Sequence, residues 1–324
     1  MTQSMKVIFY GLLVASLLTG CGQGKRIKTG EHDKNAANRL IVTNSDALEA
    51  LVALDATKNI VGTHDMGSKS FLDESLKWPS IGNWQNPNIE AIIDLKPDIV
   101  VAYQKWPDPV GFDDKLKPFN ISVERINFYY MSEYSSDIYR LASIIGKENR
   151  ADTIVNDFNR IVGIIKNAVN DIDVKKKVYL ELYAPFSAVG TGTGGNEILE
   201  LVNATNIAAK LNITSPKVST EWLLEENPDI IIKVVSSNTI TVDIYEQLVN
   251  RTGWDKLDAV KNGRIYLISS ELMYGPRAMI GSLYIGKWCY PERFVSIDPD
   301  SVLAYWMKKY YGVSSDNFIF TLKK

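Results

Sequence analysis

Along the chain, short runs of branched apolar residues alternate with stretches in which apolar positions recur every three or four residues. RLIVTN (39–44), IVGTH (60–64), DIVVAYQ (98–104) and ISVERIN (121–127) read as strands. DALEALVALDA (46–56) reads as a helix with Leu48, Leu51, Val52 and Leu54 along its apolar side. DIVVAYQ is apolar on both faces, as a strand inside a parallel sheet is. The texture changes over 135–172, where helical periodicity persists without a proline; Gly146 divides it into two helices, the second running from Lys147 to about Asn170. Alternation then restarts with VYLELY (178–183), a glycine-rich loop, a helix near 197–202, DIIIKVV (229–235) and RIYLIS (264–269). The pattern predicts an α/β fold: two lobes with central, mostly parallel sheets, residues 39–146 and 173–324, joined by one long helix over 147–172.

One phrase is written twice. PNIEAIIDLKPDIVV (87–101) returns as VSTEWLLEENPDIII (218–232), pairing Glu90 with Glu221, Pro97 with Pro228 and Asp98 with Asp229. In each copy a polar residue, Asn88 or Ser219, is placed to cap a helix, and the glutamate two positions on falls in its first turn, where the helix dipole favours negative charge. The proline stops the helix, and Asp with branched residues begins a strand. This local chemistry alone accounts for the repeat. Its recurrence in two lobes also sets Glu90 and Glu221 at corresponding points of the surface.

Composition narrows the picture. Hydrophobic residues make up 45% of 324, enough for a substantial core, and length suggests two domains. The formal charge of −2 comes from scattered charges, so no footprint for nucleic acid is present. Lys6 is followed by VIFYGLLVASLL (7–18), too short to span a bilayer but suited to the core of a signal peptide. LTGC (18–21) resembles a lipobox, the site at which bacterial lipoproteins are cleaved before a cysteine that is then acylated. The expectation is a signal peptide over 1–20, lipidation at Cys21 and a polar tether over 21–38, holding the protein to the extracytoplasmic face of a membrane, periplasmic or cell-surface. Cys289 is the only other cysteine, so neither an intrachain disulfide nor a cysteine metal site is expected. It reads as a small buried hydrophobe.

Candidate chemistry collects after the strands, where ligands of open α/β sheets bind. Trp84 precedes the first repeated helix, Tyr103 and Trp106 follow DIVVA, Phe128, Tyr129 and Tyr130 follow ISVERIN, and Tyr183 and Phe186 follow VYLEL. Singly each reads as a core or rim aromatic; together in loops they suit a large, partly apolar ligand. Tyr274 and Arg277, in MYGPRAM, lie at the expected start of a helix. There an arginine either meets a carboxylate, phosphate or oxyanion or pairs with a nearby acid on the lobe surface. GTGTGG (190–195) meets neither the P-loop nor the dinucleotide pattern and reads as a close-approach loop feeding the next helix. His32 and His64 are too few for a His-rich zinc site, and no protein-borne metal site or cofactor is expected. No nucleophile elbow or metal-binding His pair points to a hydrolase. A purely structural surface lipoprotein is the other class, and it requires the aromatics to be packed inside the lobes.

The order of IGNWQNPNIEAIIDLKPDIVV (81–101), one long helix, VGTGTGGNEILELVNATNIA (189–208), VSTEWLLEENPDIIIK (218–233) and WDKLDAVKNGRIYLI (254–268) resembles the helical-backbone substrate-binding proteins of ABC importers for iron complexes, haem and cobalamin. The likeness covers about residues 39–312. It implies two Rossmann-like lobes enclosing a ligand between them and a non-enzymatic carrier serving a permease dimer with its ATPase. It further implies that Glu90 and Glu221 dock on permease arginines and that the segment of Tyr274 and Arg277 faces the ligand; with the aromatics after the strands, the residues expected to face it are Trp84, Tyr103, Trp106, Tyr130, Tyr183, Tyr274 and Arg277. A ferric siderophore is the first expectation for that ligand. Haem, cobalamin, and molybdate or tungstate stand as alternatives.

Overall fold

The computed structural model describes residues 36–65, 72, 76–236 and 239–323. The expected signal peptide, Cys21, His32 and the tether up to residue 35 lie outside them. In chain order the first lobe contributes β1 (Leu40–Val42), α1 (Ser45–Ala53), β2 (Ile60–Thr63), α2 (Ile89–Asp94), β3 (Ile99–Ala102), α3 (Pro109–Leu116), β4 (Ser122–Arg125) and α4 (Tyr134–Ile145). The long α5 (Glu148–Val169) leads to β5 (Lys177–Glu181), α6 (Gly194–Leu201), β6 (Thr205–Asn206), α7 (Thr220–Glu226), β7 (Ile230–Val235), α8 (Val242–Val249), α9 (Asp258–Lys261), β8 (Ile265–Ser269), α10 (Ala278–Cys289), α11 (Pro299–Tyr311) and β9 (Thr321–Leu322). One sheet has the order β2-β1-β3-β4 and is parallel throughout. The other runs β6-β5-β7-β8-β9, with only β9 antiparallel.

Strand periodicity sorts the core into layers, because alternate side chains face opposite sides of a sheet. Ile41 and Val100 face α2 and α3 in one cluster with Ile92, Phe112 and Leu116. Tyr179, Ile231, Ile265 and Leu267 face Leu223 and Leu248 of α7 and α8 in a second. Leu40, Val42 and Val101 of the first sheet share a third cluster with Val178, Ile230 and Ile232 of the other. The same cluster takes in α5, which buries Ile154, Phe158, Ile161 and Ile165 at helical spacing. Gly146, left-handed at φ 66°, ends α4 and separates it from α5 as its position in the sequence suggested.

The doubled phrase builds the same joint twice. Asn88 caps α2 by accepting from Ala91 N, and Ser219 caps α7 by accepting from Trp222 N. Beyond each proline, the Asp98 carboxylate accepts from Asn38 N and Arg39 N, and that of Asp229 accepts from Lys177 N. The cation that opens the first strand of each lobe then reaches the C-terminal carbonyls of the repeated helix: Arg39 donates to Leu95 O and Lys96 O, Lys177 to Glu226 O. Those carbonyls are unsatisfied within the helix itself. The Arg39 and Lys177 half of the repeat is invisible in the sequence, since no surrounding motif recurs.

Candidate functional site

The C-terminal ends of five strands converge on a cavity of about 690 Å3. Ser45 and Asp46 follow β1, Tyr103 to Trp106 follow β3, Asn127, Tyr129 and Tyr130 follow β4, Tyr183 follows β5, and Ser270, Glu271 and Tyr274 follow β8. Trp84 reaches the cavity from the turn before α2, and Gly192 and Thr193 from the loop before α6. A comparable cavity of about 620 Å3 is bounded only by residues of the second lobe, among them Lys176, Arg264 and Trp288, and holds none of the aromatics singled out in the sequence.

Two aromatic groups face this space. Trp84 meets Tyr103 edge-on at 5.3 Å and Trp106 at 6.5 Å, while Tyr129 stacks on Tyr274 at 5.3 Å and meets Tyr130 edge-on at 4.9 Å. These are the offset and T-shaped arrangements that ring quadrupoles favour. The Tyr103 hydroxyl accepts from Ser45 N and lies 3.0 Å from Ser45 Oγ, which in turn lies 3.3 Å from Nε2 of the buried His64. His64 therefore stands behind the wall and orders Tyr103 through Ser45. Burial raises the Tyr274 hydroxyl well above the ordinary phenol range, and burial with the neighbouring Tyr130 raises that of Tyr129. Both remain protonated and able to donate.

Backbone detail brings the two lobes' rings together. Phe128 adopts a left-handed φ of 50°, uncommon for a bulky residue. The turn is held from both sides, because Phe128 N donates to Asp137 Oδ2 at 2.9 Å and Phe128 O accepts from Gly275 N at 3.1 Å. The next two residues, Tyr129 and Tyr130, are thereby turned into the cavity. From the other lobe, Gly194 comes so near that a β-carbon there would lie 2.1 Å from Tyr129 O. Tyr130 donates to Gly192 O at 3.1 Å, and Met131 N to Glu197 Oε2 at 2.6 Å. The glycine-rich loop is thus a close-approach loop that also lines the cavity.

Arg277 departs from the expectation placed on it. It does not line the cavity: it is wholly buried behind it, its Nε donating to Glu49 Oε1 at 2.7 Å and its Nη2 to Glu271 Oε2 at 2.7 Å. Burial opposes its charge, but Glu49 and Glu271 outweigh this and raise its pKa. An internal ion pair therefore replaces the expected ligand contact. Asp46, Lys105 and Glu271 line the cavity without having been singled out in sequence. The signal existed for all three, since each stands just past a strand end.

Glu90 and Glu221 are exposed in the first turns of α2 and α7. Backbone and Ser219 hydrogen bonds hold the Glu221 carboxyl below its ordinary range, so it is anionic at neutral pH. Among the described residues no three His, Cys, Asp or Glu side chains come together as a metal-ion site.

Comparison with known proteins now decides the family. Residues 40–272 match the family described as periplasmic binding protein. The chain belongs to the periplasmic binding protein family. The resemblance to helical-backbone substrate-binding proteins is thereby borne out, together with the two-lobed α/β fold. This periplasmic binding protein is 26% identical to the molybdate-binding protein MolA of Haemophilus influenzae, over 94% of this chain and 96% of that one. It is 25% identical to YvrC of Bacillus subtilis, named as an uncharacterized ABC transporter substrate-binding lipoprotein, over 87% and 96% of the two chains. In fold it is similar to a TroA-like periplasmic binding protein, FepB, of Veillonella parvula, with a TM-score of 0.77 over 90% and 95% of the chains and 23% identity.

Proposed function

We propose that this protein captures an iron complex of the ferric siderophore type between its lobes and delivers it to the permease of an ABC importer. The observation that carries this reading is the interlobe cavity of about 690 Å3 walled by Trp84, Tyr103, Trp106, Tyr130, Tyr183 and Tyr274. Its size falls in the roughly 300–1,000 Å3 range of sites that enclose drug-sized ligands. Rings on both sides suit an organic periphery around a metal, and the tyrosine hydroxyls can donate to its oxygens. Glu90 and Glu221, one per lobe, serve as docking anions for permease arginines and steer the encounter. Cys21 carries the lipid that keeps the carrier beside its transporter on the extracytoplasmic face, a role in keeping with the lipoprotein name of YvrC.

The likeness to MolA favours a second reading, an oxyanion such as molybdate. The cavity is several times larger than a tetrahedral oxyanion and has no arginine in its lining among the described residues, and both points favour the larger complex.

The test is a titration of the full-length protein, followed by tryptophan fluorescence, with ferric hydroxamate and catecholate complexes, haem, cobalamin and molybdate. Saturation by a ferric complex at micromolar concentration or below is expected. A flat response across the panel overturns the reading.

A further inference from the structure

The carrier function leaves open the charge of the ligand, and the wall of the cavity bears on it. Among the described residues its charged lining is Asp46, Glu271 and Lys105, two carboxylates against one ammonium. The nearest arginines are committed elsewhere. Arg125 donates to both oxygens of Asp113 and to Tyr103 O. Arg277 sits between Glu49 and Glu271, so behind the lining its guanidinium is balanced by Glu49 and the excess of one carboxylate at the cavity remains.

Glu271 supplies the second observation. It is 6% exposed and lines the cavity, and while its Oε2 accepts a hydrogen bond from Arg277 Nη2, its Oε1 has no hydrogen-bond partner among the described residues. That oxygen is itself buried, and a buried carboxylate oxygen left without a donor is costly, so a guest that brings a donor to Glu271 is favoured. The flanking rings act in the same sense. Aromatic rings such as those of Trp84, Tyr103 and Tyr274 in the lining carry negative charge on their faces, which attracts cations and repels anions.

We propose, resting on the carrier function above, that the cleft selects a cationic metal complex whose positive or N–H-bearing side meets Asp46 and Glu271, and that it rejects oxyanions and polyanionic complexes. Asp46 and Glu271 are then the residues that set specificity. Like charges brought together in such a site cost more than pairing of opposite ones returns, so the discrimination is against the wrong charge as much as for the right one.

Calorimetric titration of the full-length protein with ferrioxamine B, a singly cationic ferric trihydroxamate, with ferric enterobactin, a triply anionic tris-catecholate, and with molybdate tests this. Ferrioxamine B is expected to bind more tightly than either anion by about tenfold or more. Asp46→Asn should narrow that gap, with an unchanged melting profile as the check on folding. Glu271→Gln, which also removes charge from Arg277's partner, should narrow it too. Equal or tighter binding of an anionic probe overturns the proposal and leaves the carrier function standing. Binding of no probe overturns both. A cation preference that survives both substitutions overturns the assignment to these residues.

Discussion

Arg277 and Glu49 stand 228 residues apart along the chain and meet at 2.7 Å with neither side chain exposed. The pair ties the segment before α10 to α1 of the opposite lobe, and the Tyr311 hydroxyl donates to the same Glu49 oxygen at 2.7 Å. Breaking a buried pair from one side leaves uncompensated charge, which costs about 3–5 kcal/mol. Arg277→Met strands two carboxylates and should lower unfolding stability by that amount in urea denaturation. Arg277→Lys should lose less, because an ammonium keeps the charge but cannot fork to both acids. A stable Arg277→Met protein would mean that the pair holds nothing together.

Charge reversal at Glu90 and Glu221 should separate docking from binding. Both side chains are exposed, in α2 and α7 and away from the cavity lining. The double variant with lysine at both positions should transport poorly in cells, most visibly at low ionic strength, while its ligand affinity matches the parent protein. Lost affinity would place these residues in the cleft or the fold instead.

Trp84 and Trp106 are the tryptophans lining the cavity, so they should carry the fluorescence response to ligand. Trp84→Phe with Trp106→Phe should silence that response while calorimetry still records binding, weakened by loss of ring contact worth about 0.5–1.5 kcal/mol per aromatic pair. A full response in the double variant would locate the ligand elsewhere.

Much of this site was legible because the chemistry was local. A strand's end marks where side chains reach a cleft, and five rings picked out by that rule, Tyr103, Trp106, Tyr129, Tyr130 and Tyr183, lie around one cavity. Asn88 and Ser219 cap helices because caps depend on neighbours three residues away. Arg277 escaped because its partners come from distant segments. Glu49 lies in α1 beside Leu48, where sequence periodicity suggests one apolar side, yet Ala47 to Ala53 are all buried because α11 and the segment before α10 also pack on α1. Burial on more than one side is a property of the assembled fold, and helical periodicity does not report it. The same holds for Arg39 and Lys177, whose equivalence appears only once the strands are laid in their sheets.

Two glycines predict opposite outcomes. Gly194→Ala puts a methyl group 2.1 Å from Tyr129 O, so the Tyr129–Tyr130 turn must shift, and ligand affinity should fall together with stability. Gly163, inside α5, has nothing within 4 Å of an added β-carbon. Gly163→Ala should therefore stabilise by about 0.5–1 kcal/mol through helix propensity alone and leave ligand affinity unchanged. Thermal unfolding and titration of the two variants side by side read the contrast.

The second lobe holds a pH-dependent element of its own. Glu181 is fully buried and receives Arg251 through two hydrogen bonds of 2.7 and 2.9 Å, Lys233 at 3.0 Å and the Tyr179 hydroxyl at 3.0 Å. Burial alone would raise its pKa, but Arg251 and Lys233 outweigh burial and bring it below the ordinary 4.5. A carboxyl with a depressed folded-state pKa contributes stability above its unfolded value, and that contribution is lost as pH falls through the folded value. Glu181→Gln should thus be less stable than the parent by about 3–5 kcal/mol at neutral pH, because two cations lose their shared partner. The difference should begin to shrink as pH drops below about 4.5, where this carboxyl takes up its proton in the unfolded chain, and vanish once pH passes below the lowered folded value. Urea denaturation of both proteins across this range gives the answer, and a difference that stays constant with pH would show that Glu181 is held by packing and not by its charge.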